Sequence, residues 1–295
     1  MTAAALSSVF SWMEPWMKIG VSAFAWTTEI CPRHLDILPR FREQGLEAFE
    51  VPMFDPAQLN TAAIRRACQA SGLECTVCAI LPQGVNPISL DAAVRKRSLD
   101  HLTRCVETCA ELGAAMLGGP LFAPIAYLPG RRRNADEWAW AVECFRALGD
   151  VLDAHRIGIA IEPVNRSESF FLNTAAQAGA FCDQVAHPRV GALIDTFHAN
   201  IEEKSIPAAV RSLGKRLRHL HLSENDRGLL GSGHVDFPGI VAALKQIGYD
   251  GYLMIEGFGY SNDEANALGG LWADVNVSPE DIAFKGAAYL RDLLN

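Results

Sequence analysis

Glu162, Asp195, His221 and Glu256 each stand at or near the end of an apolar run, in IGIAIEPV, VGALIDTFH, LRHLHLSE and YLMIEGFG. Carboxylates and imidazoles ligate divalent cations and carry protons. Brought to one place, three carboxylates repel one another unless a positive charge lies among them. A divalent cation would supply it, and three oxygen donors with one imidazole suit Mn2+, Co2+ or Mg2+ better than a structural zinc, which favours thiolates and imidazoles. One ion per chain is expected, Mn2+ foremost. Any one of these residues alone is as readily a satisfied core group. Their recurrence at four successive runs carries the metal reading. His198, a few residues beyond Asp195, reads as a hydrogen-bonding group for whatever the ion holds. His219 is assigned to the opposite face of its strand from His221 and to a structural role. Glu50 is set behind the site as a supporting acid. Glu202 and Glu203 are read at the start of a helix, complementing its N-terminus.

Such residues converge only if the elements that carry them do. Eight apolar runs of strand length occur, at 17–26, 46–53, 73–81, 114–122, 157–164, 190–198, 217–224 and 252–259. Amphipathic stretches such as AVRKRSLDHLTRCVETCAELG and FPGIVAALKQIGYDG separate them, most ending near a glycine. Strands apolar throughout, alternating with helices, indicate a parallel sheet covered by helices. Closed on itself, this is a single-domain (β/α)8 TIM barrel over residues 17–295. A doubly wound open sheet is the alternative, weakened because no glycine-rich dinucleotide fingerprint follows the first run. In a barrel the functional groups gather at the C-terminal strand ends, where these residues stand. Residues 1–16 precede the scheme and read as a flexible N-terminal extension, with a translation start at Met17 as the alternative.

The chain has 295 residues, 49% of them hydrophobic, and a formal net charge of -8. That charge opposes binding to nucleic acid, and no apolar run approaches the roughly 20 residues that span a bilayer. The N-terminal segment lacks the basic start of a signal peptide, so a cytoplasmic location is expected. The eight cysteines then read as free thiols. Cys75 and Cys78 form a CxxC inside a strand, where they face opposite ways and make a poor chelate. Arg131, Arg132 and Arg133 read first as a solvated basic face, with a phosphate site for a sugar phosphate as the sharper alternative. Phe122 and Tyr127, in the same long segment, are candidates for substrate specificity. So are Trp26 and Phe258, which could pack on a sugar face.

The motifs IEPVNRSE, LNTAAQ, LIDTFHANIEE, HLHLSENDRG and IEGF, with the intervals between Glu162, Asp195, His221 and Glu256, resemble those of the ketose 3-epimerases among the xylose isomerase-like barrels. Pro163, Ala199 and the ENDRG segment depart from that pattern. The resemblance implies that Glu162, Asp195, His221 and Glu256 hold the metal and that Glu162 and Glu256 are also the acid/base pair. It further implies that Glu168, His198 and Arg227 hold the sugar, and that the protein is a homodimer or homotetramer. The expected activity is metal-dependent epimerisation of a ketose at C3 through an enediolate. A related sugar isomerase, or an enzyme of keto-sugars or sugar phosphates, is the alternative. A non-enzymatic sugar-binding protein would have no need of two proton carriers.

Overall fold

The computed structural model describes residues 17–258, 267, 269–274 and 276–295. The expectation for residues 1–16 lies outside them. All eight apolar runs contain strands: β1 Lys18–Ser22, β2 Ala48–Met53, β3 Glu74–Ala79, β4 Met116–Gly119, β5 Gly158–Ile161, β6 Val190–Asp195, β7 Leu217–Leu222 and β8 Tyr252–Ile255. They pair in sequence order, every neighbour parallel, and β8 returns to β1 to close the barrel. Both faces of each strand are covered, by the barrel interior and by the outer helices, so the strands are apolar almost throughout.

The outer ring includes helices Thr61–Ser71, Ala92–Leu112, Ala135–Ala147, Ala175–Val185, Ile206–Leu213, Phe237–Ile247 and Pro279–Leu294. Each begins at an Asn, Asp, Thr or Ser whose side chain accepts a backbone N–H of the first turn. No described helix is long and apolar enough to cross a membrane.

The barrel interior is filled unequally. On β4, Gly118 leaves room for two neighbours, because a Cβ there would lie 3.0 Å from Leu193 Cδ1 and 3.5 Å from His219 Cδ2. Gly119 follows with φ +125°, and a Cβ on it would overlap the Ala79 carbonyl oxygen of β3. Only glycine closes this strand against its neighbour.

Four local expectations are corrected. The sixth strand ends at Asp195, not at residue 198, because its carboxylate accepts the Phe197 N–H at 2.9 Å and caps a helix, Thr196–Glu202. His198 therefore lies on a helix. Glu202 stands at that helix's last residue, not its start, and accepts from Arg166 N, Nε and Nη2 at 2.8, 2.9 and 2.8 Å. Glu203 does complement a helix N-terminus, but that of Ala175–Val185, by accepting the Ala175 N–H at 2.7 Å. His219 shares the inward face of β7 with His221, since residues two apart on a strand point the same way, and both are fully buried.

Arg131 and Arg133 are not free for a phosphate. Arg131 makes two hydrogen bonds to the buried Glu137, at 2.6 and 3.0 Å. Arg133 donates to the Phe171 carbonyl and lies over the Trp138 ring, 4.6 Å from its centroid. The eight cysteines are free. The exposed large apolar side chains among the described residues are Leu90, Tyr127, Leu128, Ile201 and Trp272. All of them lie in segments that follow strands, on the C-terminal face of the barrel.

Candidate active site

Glu162 and Glu256 follow directly on β5 and β8, Asp195 is the last residue of β6, and His221 lies near the end of β7. The barrel carries all four to one mouth and buries them, none more than 5% exposed. His221 Nδ1 lies 3.8 Å from Glu162 Oε1 and 3.4 Å from Glu256 Oε1. Asp195 Oδ2 lies 3.5 Å from His198 Nε2, and Glu162 Oε1 lies 3.8 Å from that same nitrogen.

The His198 ring is oriented by Asn165. Asn165 Nδ2 lies 2.9 Å from His198 Nδ1 and donates to Glu168 Oε1 at 2.7 Å, tying His198 and Glu168 into one network. Asn165 was not singled out as a site residue from the sequence, and only its place three residues beyond the strand-end carboxylate Glu162 hints at this role. Arg227 has φ +62° and a buried guanidinium. Its Nη1 donates to Glu256 Oε2 at 2.6 Å, Asp195 Oδ2 at 2.9 Å and Ser223 Oγ at 3.0 Å. Its guanidinium lies 4.0 Å from the Phe197 ring centroid and 5.0 Å from that of Phe258.

Positive charge among the carboxylates therefore comes in part from the chain itself. Burial alone would raise the Asp195 carboxyl, but Arg227, His198 and His221 hold it below its ordinary value. At Glu256 burial prevails, reinforced by Asp195 and Glu162, and pushes the carboxyl up to about 8 although His221 and Arg227 pull the other way.

His221 Nδ1 is buried with no hydrogen-bond partner and looks toward two carboxylates. Donors about 2.1 Å from one ion stand roughly 3 to 3.5 Å apart in octahedral or tetrahedral arrangements. His221 Nδ1 stands at such a separation from Glu256, 3.4 Å, and slightly farther from Glu162, 3.8 Å, leaving its lone pair open to a divalent cation. Among the described residues, three buried groups bring ligand atoms close enough to share a cation: Glu50, His219 and His221; Cys78, His221 and Glu256; and Glu162, Asp195 and His198. The four residues expected from the sequence are thus divided between the last two groups.

The cavity over these groups has a polar wall of Glu162, Glu168, His198, Arg227 and Glu256. The rest of its lining is apolar apart from the Cys78 thiol: Phe24, Ile80, Pro120, Ile125, Val164 and Phe258. Of the four aromatic candidates for specificity, only Phe258 lines it. Trp26 instead packs on Phe41 of helix Leu38–Glu43, with ring centroids 5.2 Å apart. Phe122 turns into the core against Phe171 at 5.3 Å. Tyr127, 38% exposed, rests edge-on against Phe170. The turn Ala23–Ala25 that follows β1 contributes Phe24, stacked on Phe258 with centroids 5.6 Å apart. Cys78, hidden within an apolar run of the sequence, brings its sulfur close to His221 and Glu256.

The family model for the xylose isomerase-like TIM barrel matches residues 38–293. A ketose 3-epimerase of Arthrobacter globiformis is 30% identical over 94% of this chain and 97% of its own length. An L-ribulose 3-epimerase of Mesorhizobium japonicum is 31% identical over 82% of this chain and 81% of its own. A D-allulose 3-epimerase from Methylomonas sp., solved in complex with D-allulose, superposes with a TM-score of 0.87 at 28% identity, covering 94% of this chain and 97% of that one. With its closed parallel barrel and its buried acid and imidazole groups at the C-terminal mouth, the chain belongs to the xylose isomerase-like TIM barrel family and, within it, to the ketose 3-epimerases, a family of carbohydrate isomerases.

Proposed function

We propose that the protein epimerises a free ketose at C3 by removing the proton there and returning one from the opposite face, with Glu162 and Glu256 as the two carriers. The observation that carries this reading is that these carboxylates, directly after β5 and β8, line one small cavity at the barrel mouth, with His221 Nδ1 3.8 and 3.4 Å from them. Because each serves one face of the sugar, neither has to swing. One takes the C3 proton, leaving an enediolate, and the other delivers a proton to the far side. Glu162, Asp195, His221 and Glu256 would hold one divalent ion, with Mn2+ preferred over Co2+ or Mg2+. Such an ion, when bound, supplies Lewis-acid stabilisation of charge developing on the sugar oxygens.

The other polar residues would position the substrate. His198, oriented by Asn165, and Arg227 donate to the oxygens at C1 and C2, while Glu168 accepts from a hydroxyl. The apolar wall around Phe24, Ile80 and Phe258 limits the access of water to the reacting carbon. By family resemblance we also propose a cytoplasmic homodimer or homotetramer.

The test is incubation of the Mn2+-loaded protein with D-fructose, D-allulose, D-tagatose and L-ribulose in D2O, with deuterium at C3 read by NMR. Exchange with epimer formation, lost on chelation and restored by Mn2+ or Co2+, is expected. Absence of C3 exchange from every free ketose, in protein that still binds metal, would overturn the free-ketose assignment in favour of a phosphorylated or keto-glycoside substrate.

A further inference from the structure

We propose that Glu50 is a positioning residue that decides which nitrogen of His221 is free to take a cation, and that His219 holds Glu50 in that orientation. Glu50 lies on β2, inside the barrel and fully buried. Its Oε1 is 3.0 Å from His221 Nε2. Its Oε2 is 2.8 Å from His219 Nε2 and accepts the Thr76 hydroxyl at 3.1 Å. An ionised carboxylate only accepts hydrogen bonds. His219 must then present an N–H from Nε2, and with the Thr76 hydroxyl it holds the carboxylate in one rotamer. The other oxygen makes no hydrogen bond but stands 3.0 Å from His221 Nε2, and a negative charge that close favours the proton of His221 on Nε2.

The consequence reaches the mouth through the ring of His221. With its proton on Nε2, its Nδ1 keeps a lone pair, and Nδ1 is the atom that looks toward Glu162 and Glu256. A carboxylate behind a ligating imidazole fixes its tautomer and makes it a better donor. This role rests on the reading of His221 as a metal ligand. The alternative of a second cation among Glu50, His219 and His221 fits less well. His219 Nε2 and the Thr76 hydroxyl both hydrogen-bond to Glu50 Oε2, at 2.8 and 3.1 Å, so that oxygen is already engaged by two donors of the chain.

Two measurements test it. In wild-type protein loaded with diamagnetic Mg2+, long-range 1H–15N correlations of the histidines should find the proton of both His219 and His221 on Nε2. A proton on Nδ1 of His221, or an Nε2 of His219 that accepts, would overturn the assignment even if no variant folds. Secondly, Mn2+ binding is followed by electron paramagnetic resonance of the free ion for wild type and for Glu50→Gln. The variant should bind about 10- to 100-fold more weakly with an unchanged circular dichroism spectrum. Affinity within about threefold of wild type would reject the role of Glu50 and leave the proposed function standing, since the expected loss is at least about tenfold. Wild-type protein that binds no Mn2+ would remove the metal reading, and this role with it.

Discussion

Replacing a carboxylate oxygen with an amide nitrogen at Glu162 or Glu256 removes a proposed proton carrier and leaves the side-chain shape. Acid/base groups contribute about 10²- to 10⁴-fold each. Either Glu162→Gln or Glu256→Gln should therefore lower C3 exchange by at least about 100-fold, with the circular dichroism spectrum unchanged. A variant keeping near wild-type exchange would refute its role. At this scale the sequence was legible where a charged residue interrupts an apolar run, which is how Glu162, Asp195, His221 and Glu256 stand out. Residues whose type suits either a core or a site were harder. Cys78 looks like any apolar strand residue, and Trp26 and Phe24 differ only in which way they point from the turn Ala23–Ala25. His219 was within reach, because the two-residue period of a strand places it beside His221.

Elements hold the site through a few contacts that can be broken one at a time. Gly119→Ala would force a Cβ into the Ala79 carbonyl at a φ that L-residues avoid, and a cost of about 2 kcal/mol or more is expected in denaturant unfolding. The pairing of Arg166 with Glu202 ties the segment after β5 to the helix carrying His198. Hydrogen bonds from Arg166 hold the Glu202 carboxyl below its ordinary value, outweighing burial. A depressed folded value means that this link contributes stability above the unfolded value, about 4.3. Its contribution is lost as pH falls through the lower folded one. Glu202→Gln should therefore lower the melting temperature at pH 7, modestly because Arg166 is largely exposed, and progressively less in acid. Melting curves at pH 7 and pH 3 check it, and an equal deficit at both would contradict it. All eight strands could be read from hydropathy, but the end of β6 could not. In the run VGALIDTFH a large apolar residue, Phe197, follows Asp195, and the cap that stops the strand is a single hydrogen bond.

For the molecule as a whole, a cation bound only by the folded chain adds stability in proportion to its occupancy. Mn2+ at a hundred times its dissociation constant should add about 2.7 kcal/mol to unfolding and raise the melting temperature. The gain should vanish with chelator, and a melting curve indifferent to Mn2+ would speak against the ligand set. Light scattering of only monomers at working concentration would refute the proposed homo-oligomer. Barrel closure was legible because eight alternations account for nearly the whole chain. Assembly was not, since no strand or motif encodes it.

The exposed apolar side chains Leu90, Tyr127, Leu128, Ile201 and Trp272 all lie on the face that opens the cavity. A hydrophobic resin would therefore adsorb the protein mouth-down. Immobilised protein is expected to lose most of its turnover on such a support and to keep it when tethered through the outer helices, a difference that comparing the two preparations for ketose conversion would reveal.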